Sequence, residues 1–317
     1  MLHVADYFYW GWSVRQQGLG IARVVALLAC LPCLLAGCAV STPPAAEALP
    51  DPLALAAQSE SKAQAQAQAQ TQAQTQAQAQ ALVLPAITRF SDAGQGETLP
   101  GGWRVWSLGR FKKPTEYRLE RKDGRTVVRA FADASASGLL HDLDVDPRQH
   151  PWLHWRWKVE QLIHSADNTQ RHTEDSPVRL VITFAGDRSK LEFSDRLFAT
   201  QVRLLTGQEL PYATLMYIWE NRAERGQIIA NRYTSRIRMV VAESGREKLG
   251  QWWEESRNVL EDYRRAFGEE PGRITSIGLM TDTDNTGEQV HAWYGDIQFL
   301  ARPTSPHQHP SLPMVAR

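Results

Sequence analysis

Along residues 83 to 302 the dominant pattern is alternation of apolar and polar positions by two, the period of an extended strand with one face inward. The runs that carry it are 103–108, 116–121, 126–132, 138–144, 152–159, 178–184, 213–219, 235–242, 273–280 and 291–300. They are rich in Val, Ile, Trp, Tyr and Phe, with turn residues such as Asp123-Gly124 between them. In 152–159 one face carries Leu153, Trp155, Trp157 and Val159, the other Trp152, His154, Arg156 and Lys158. Run 178–184 sets Val178, Leu180, Ile182 and Phe184 on one side, and in 235–242 Ile237, Met239 and Val241 oppose Arg236 and Arg238. One apolar and one polar face per strand is what two antiparallel sheets packed face to face require. The expected fold class is mainly β, an antiparallel β-sandwich.

Two segments change period. In 249–267, Leu249, Trp252, Trp253, Leu260, Tyr263 and Phe267 fall close to one helical stripe, with Gly268 as a stop and Pro271 beyond it. A weaker stripe of Leu197, Val202, Leu204 and Leu205 marks 194–206. One or two α-helices are thus inserted in a single domain of about 220 residues, enough to bury its own core.

Upstream the pattern vanishes. Residues 41–81 are mostly Ala, Gln, Thr, Ser and Pro, and 63–81 alternate Ala and Gln, with Thr71 and Thr75 in place of Ala. So few large apolar groups cannot offset the entropy of ordering, so 38–82 is expected to be a spacer. As a coil of about 45 residues it spans on the order of 35 to 40 Å. An envelope-associating coil is the other reading. The tail 303–317, with Pro303, Pro306, Pro310 and Pro313, is expected to be disordered.

Residues 24–35 form an apolar run of 12 behind Arg15 and Arg23. A spanning helix needs roughly 20, so the dimensions are those of a signal peptide. The run ends in Leu35-Ala36-Gly37-Cys38, which resembles the lipobox of bacterial lipoproteins. Small residues there admit the peptidase, and the Cys38 thiol takes the diacylglyceryl group. Residues 1–37 are therefore expected to be a lipoprotein signal and Cys38 the lipidation site, the plainer reading being a buried helix with an incidental cysteine. Met1 to Ser13 carries Tyr7, Phe8, Tyr9, Trp10 and Trp12, unusual for a leader, so translation is expected to start near Val14. Cys30 and Cys33 lie in the signal, so the processed chain would have no disulfide framework and no thiolate metal site. Ala39 rather than Asp follows Cys38; by resemblance to enterobacterial lipoproteins this implies the outer membrane, facing the periplasm. The chain balances 35 basic against 35 acidic residues, with only Arg15, Arg23 and Asp6 in the leader. Near neutrality carries no bulk signature of nucleic-acid binding.

Several local signatures occur together: Glu174-Asp175-Ser176-Pro177-Val178-Arg179, Tyr217-Ile218-Trp219-Glu220, the segment Trp252 to Gly268, Met280 to Gly287, and Trp293-Tyr294-Gly295-Asp296-Ile297. In combination they resemble the bacterial domain-of-unknown-function 3047 family over essentially all of 83 to 300, a resemblance that implies no established activity. Pro100-Gly101-Gly102-Trp103 and the strand at Gly138-Leu139-Leu140 are also similar to galactose-binding-type jelly-roll modules, which implies a jelly-roll-like sandwich.

The sharpest chemical candidate is Asp282-Thr283-Asp284-Asn285-Thr286-Gly287. Oxygen ligands at alternating positions before a sharp-turning glycine suit Ca²⁺, with Asp282, Asp284 and Thr286 as ligands. The twelfth position is Trp293, not a bidentate Glu, so the loop is no EF-hand. The plainer reading is a polar strand connection with Gly287 at positive φ. Glu174 and Asp175 precede run 178–184, while Asp282 and Asp284 follow run 273–280. If those strands are antiparallel, the four carboxylates meet at one end of the sheet, where they recruit a cation or raise a pKa. The same cluster could serve as acid and base in glycoside hydrolysis. No Gly-x-Ser-x-Gly occurs, and the histidines lack metal spacing, so no catalytic residue is assigned. Among the aromatics, Trp152 shares a mixed face with His154 and Arg156; it is either a platform for a sugar ring or a rim tryptophan covering the sheet end. The leading functional reading is a non-catalytic, lipid-anchored module binding a glycan, peptidoglycan or another envelope component. A carbohydrate-active hydrolase and a structural lipoprotein contacting proteins are the alternatives.

Overall fold

The computed structural model describes residues 87–303 apart from 95, 97, 110 and 111. The expected signal with Cys38, the spacer and the tail beyond 303 lie outside the described residues. Within them are β1 (Trp103–Ser107), β2 (Glu116–Lys122), β3 (Arg125–Asp133), β4 (Ala136–Val145), β5 (Trp152–Val159) and β6 (Ser176–Phe184). A 3-10 turn at Arg188–Lys190 and helix α1 (Phe193–Thr206) follow, then β7 (Ala213–Glu220), β8 (Ile228–Ala230), β9 (Ile237–Ser244) and β10 (Trp252–Asn258). Helix α2 (Val259–Phe267), β11 (Ile274–Asp282) and β12 (Gln289–Leu300) complete the chain. They form a β-sandwich of a seven-stranded sheet, β1-β4-β11-β6-β7-β9-β8, and a five-stranded sheet, β10-β5-β12-β3-β2.

The main core lies between the sheets, and the alternation in β5 shows how it is built. Trp155 stacks on Tyr217 at 5.0 Å between ring centroids, and Trp157 meets Trp219 at 6.3 Å. All four are essentially sealed from solvent. Near the start of β4 the packing leaves no space for a side chain: a Cβ on Gly138 would lie 2.7 Å from both the Trp106 ring and the Leu279 carbonyl.

Three expectations need correction. Residues 249–267 are not one helix: 252–258 are the edge strand β10, antiparallel to β5, and only 259–267 are helical. The two-residue alternation Trp253, Glu255, Arg257 inward fits pairing with β5, and Asn258 then starts α2 by accepting from the Glu261 N–H. Second, neither β6 nor β7 has a solvent-exposed face, since every residue in both is buried. A second apolar layer, including Phe198 and Val202 of α1 with Val181, Met216 and Met239, covers the outer side of the seven-stranded sheet. Third, the sheet is not purely antiparallel, because β7 and β9 run parallel. On α1 the apolar stripe divides: Val202 is buried together with Phe198, whereas Leu197, Leu204 and Leu205 are exposed.

Candidate functional site

Two groups of side chains stand out, one at the end of the seven-stranded sheet and one on the outer face of the five-stranded sheet. The first arises because β6 and β11 are antiparallel neighbours, which brings Asp282 opposite Ser176. Asp175, Asp282 and Asp284 each offer an oxygen within 4.8 Å of the others. Arg179, 1% exposed, answers them. Its guanidinium donates to both Asp282 oxygens at 2.9 and 3.1 Å, to the Glu174 carbonyl at 2.7 Å and to the Met239 sulfur at 3.2 Å. Asp175 accepts from the backbone N–H groups of Asn285 and Thr286, at 3.3 and 2.7 Å. Asp284 pairs with Lys112.

Burial raises the carboxyl pKa of Asp282 and of Glu174, each to about 7, against the pull of Arg179. Burial also raises Asp175. For Arg179, burial works against the charged form, but the surrounding carboxylates outweigh it and hold the guanidinium above its ordinary value. A calcium ion between these carboxylates would meet a guanidinium and an ammonium already there, and Thr286 already donates to Asp175 from its N–H and its hydroxyl. Gly287 has φ 71°, and its N–H returns to the Thr283 carbonyl, so the acidic loop closes as a tight turn. As an acid–base pair, Asp175 and Asp282 are poorly placed, since both are at most 1% exposed and already engaged. The arrangement is a buried lock joining the start of β6 to the end of β11.

The second group follows from register. Trp252 of β10 lies opposite Lys158 of β5, Lys158 opposite Trp293 of β12, Trp293 opposite Arg129 of β3, and Arg129 opposite Arg118 of β2. The neighbours of these residues along each strand point into the core, so this row crosses the whole outer face. Lys122 lies 3.8 Å from the centre of the Trp293 ring, and Arg156 4.5 Å from that of Trp252. The indole N–H groups are pinned: Trp293 donates to Glu120 at 2.6 Å and Trp252 to Asp123 at 2.7 Å. Phe131, His291 and Trp293 continue as near-parallel rings at 4.5 and 6.4 Å. Arg156 also crosses Gly295, where a Cβ would come within 2.5 Å of its side chain.

Trp152, His154 and Arg156, assigned from sequence, are half-buried on this same face. Burial lowers the pKa of both His154 and His291, the latter helped by Arg129. Both rings are therefore neutral at pH 7, each offering one donor and one acceptor. Arg129 lies 3.2 Å from Nδ1 of His291, and since arginine can only donate, Nδ1 accepts and Nε2 carries the proton. Trp252, Lys158, Arg129 and Trp293 were missed in the sequence as a set. The sequence pattern puts Trp252 on a helix, and the row becomes visible only once β10 is paired with β5.

The DUF3047 family profile, described as a protein of unknown function, matches residues 101–298. The chain belongs to this family. The matched range takes in β1 to most of β12, and so both groups of side chains. Among solved structures, the chain is similar to a family 11 carbohydrate-binding module of a cellulosomal cellulase of Clostridium thermocellum, at 10% identity and a TM-score of 0.36, covering 71% of this chain and 98% of that one. It is similar to the xyloglucanase domain of NopAA, a type three effector from Sinorhizobium fredii, in complex with cellobiose, at 7% identity, TM-score 0.36 and coverages of 67% and 99%. Endoglucanase 3 of Trichoderma harzianum, from family GH12, gives 7% identity, TM-score 0.33 and coverages of 69% and 98%. The chain matches none of the curated proteins compared with it.

Proposed function

We propose that this DUF3047 member is a lipoprotein of the bacterial envelope whose sandwich binds a glycan, such as peptidoglycan or another envelope polysaccharide, on the outer face of the five-stranded sheet. The row Trp252, Lys158, Trp293, Arg129 carries this reading. Strands lie about 4.8 Å apart, so two indoles separated by one strand stand roughly 10 Å apart. That spacing suits two rings of one oligosaccharide. A sugar stacks its C–H face on an indole while its hydroxyls need donors and acceptors around the rim. Here Arg156, Lys158, His154, Gln298 and Glu254 supply them. Trp252 is half-buried and Trp293 only 6% exposed, so Arg156 and Lys122 must move off the indole faces before a sugar stacks there, at a cost of about 0.5–2 kcal/mol for each cation–π contact given up.

The Leu35-Ala36-Gly37-Cys38 motif supports the envelope location, with acylated Cys38 as the anchor and 38–82 as the spacer. Ala39 favours the outer membrane. Replacing Cys38 with Ser is expected to abolish labelling by radioactive palmitate. Undiminished labelling of the Cys38→Ser chain would refute the anchor. For the ligand, the decisive assay is co-sedimentation of the Cys38→Ser chain with purified sacculi and with insoluble polysaccharides. At least one is expected to retain the protein; failure of all of them would end the glycan reading.

A further inference from the structure

Among the described residues, the large apolar side chains most open to solvent are Val105, Phe193, Leu197, Leu204 and Leu205. All but Val105 lie on the 14-residue helix α1. Phe193 and Leu204 are 74% and 77% exposed, and with Leu197 they recur at +4 and +11, which places them on one face. That face points away from the protein, because the opposite one holds Asp195, Phe198 and Val202, all buried. Four large exposed apolar groups on one helix need an explanation, since their burial in the sandwich supplies none.

Charge supplies the second observation. Asp195 is the helix's only acidic residue, and it is turned inward to accept from Thr234 at 2.7 Å and from Ser235 at 2.5 and 2.9 Å. The solvent half of α1 therefore carries Arg196 and Arg203 and no carboxylate. These arginines and Arg188 line a groove of about 220 Å³ along the helix, floored by Leu191 and Leu210. One acid, Glu209, lies 3.8 Å from Arg188 and 3.7 Å from Arg203, leaving the groove with an excess of guanidinium. Among the described residues Arg196 makes no ion pair.

We infer that α1 docks on an anionic phospholipid surface, with Phe193, Leu197 and Leu204 entering the acyl boundary and Arg188, Arg196 and Arg203 meeting lipid phosphates. An apolar row with guanidinium groups along its flank is the arrangement of a helix lying in a membrane interface, and arginine matches phosphate geometry. The inference rests on the lipoprotein reading for one point only, that Cys38 brings the domain to a bilayer; a spacer reaching on the order of 35 to 40 Å lets it lie back on that surface.

Flotation of the Cys38→Ser chain tests the surface without an acyl chain. The parent is expected to float with vesicles of phosphatidylethanolamine and phosphatidylglycerol, and much less with phosphatidylcholine alone. A Phe193→Ser/Leu197→Ser/Leu204→Ser variant with an unchanged melting temperature is expected to bind at least about tenfold more weakly, and Leu204→Ser alone to fall between. Equal flotation of parent and variant overturns the inference. So does a parent that ignores vesicles but self-associates through this helix, which would make the surface a contact between two copies. Acylation of Cys38 is read separately by palmitate labelling, so failure of the anchor and failure of the docking surface remain distinguishable.

Discussion

Replacing Arg179 with Met is expected to lower the stability of the domain at neutral pH by about 3–5 kcal/mol, the usual consequence of leaving a buried charge without its partner. Arg179 is 1% exposed and holds both oxygens of Asp282. Without it, Asp175, Asp282 and Asp284 face one another across less than 4.8 Å, with Lys112 as the nearby cation. Burial and like charge would then push protons onto the cluster. The loss therefore has a test built into it: Arg179→Met/Asp282→Leu removes both charges and is expected to recover a substantial part of the stability, because a well-packed apolar pair can replace a buried ion pair at little cost. Urea unfolding of parent, single and double variants measures this. A single variant as stable as the parent would show that the lock does not hold the sheet end together.

The second large effect concerns Glu255, on the inner side of β10 opposite Trp155. It is 2% exposed; one oxygen accepts from Arg225 at 2.9 Å, and the other has no hydrogen-bond partner. Burial pushes its pKa up to about 7, with Glu243 adding to the shift and Arg225 opposing it. The folded state thus keeps a proton that the unfolded chain, with an ordinary glutamate, has already lost above about pH 4.5. The stability this provides is fully present below pH 4.5 and is lost as pH rises through about 7. Its size is on the order of 3 kcal/mol. Glu255→Gln mimics the neutral form, so the difference in unfolding free energy between variant and parent is expected to shift by that amount in favour of the variant between pH 5 and 8. Measuring a difference cancels the other titrating carboxylates, including Glu174 and Asp282. A difference independent of pH would mean that Glu255 is ionised throughout.

How much of this was legible in the sequence depended on how local each signal was. Alternation in 152–159 identified β5 and its two faces, because a single strand's side chains report directly on what lies above and below it. The central strands β6 and β7 were found, but their second buried face was not, since burial by α1 is a property of the assembled layers. Trp252 misled in the opposite direction. A tryptophan pair beside Leu249 and Leu260 satisfies a helical stripe, and only pairing with β5 extends 252–258 into a strand. In the acidic cluster, antiparallel pairing was enough to place Asp175 beside Asp282 and Asp284. That Arg179, at the end of Glu174-Asp175-Ser176-Pro177-Val178-Arg179, would turn back to satisfy them was not legible, because its direction depends on which face of β6 is closed. The row on the outer face combines both problems, since it is written in four strands distant in sequence.

That row is also where the functional account is most exposed. The measurement that tests it most directly is the affinity of the Cys38→Ser chain for a soluble fragment of whichever polysaccharide it retains, compared with Trp252→Ala, Trp293→Ala and the double variant by titration calorimetry. Each loss of a stacking indole is expected to weaken binding by about 1–3 kcal/mol, roughly fivefold or more; because Trp293 is only 6% exposed, its variants are compared at a temperature where circular dichroism shows them folded. If the double variant binds as tightly as the parent, the outer face of the five-stranded sheet is not the binding site.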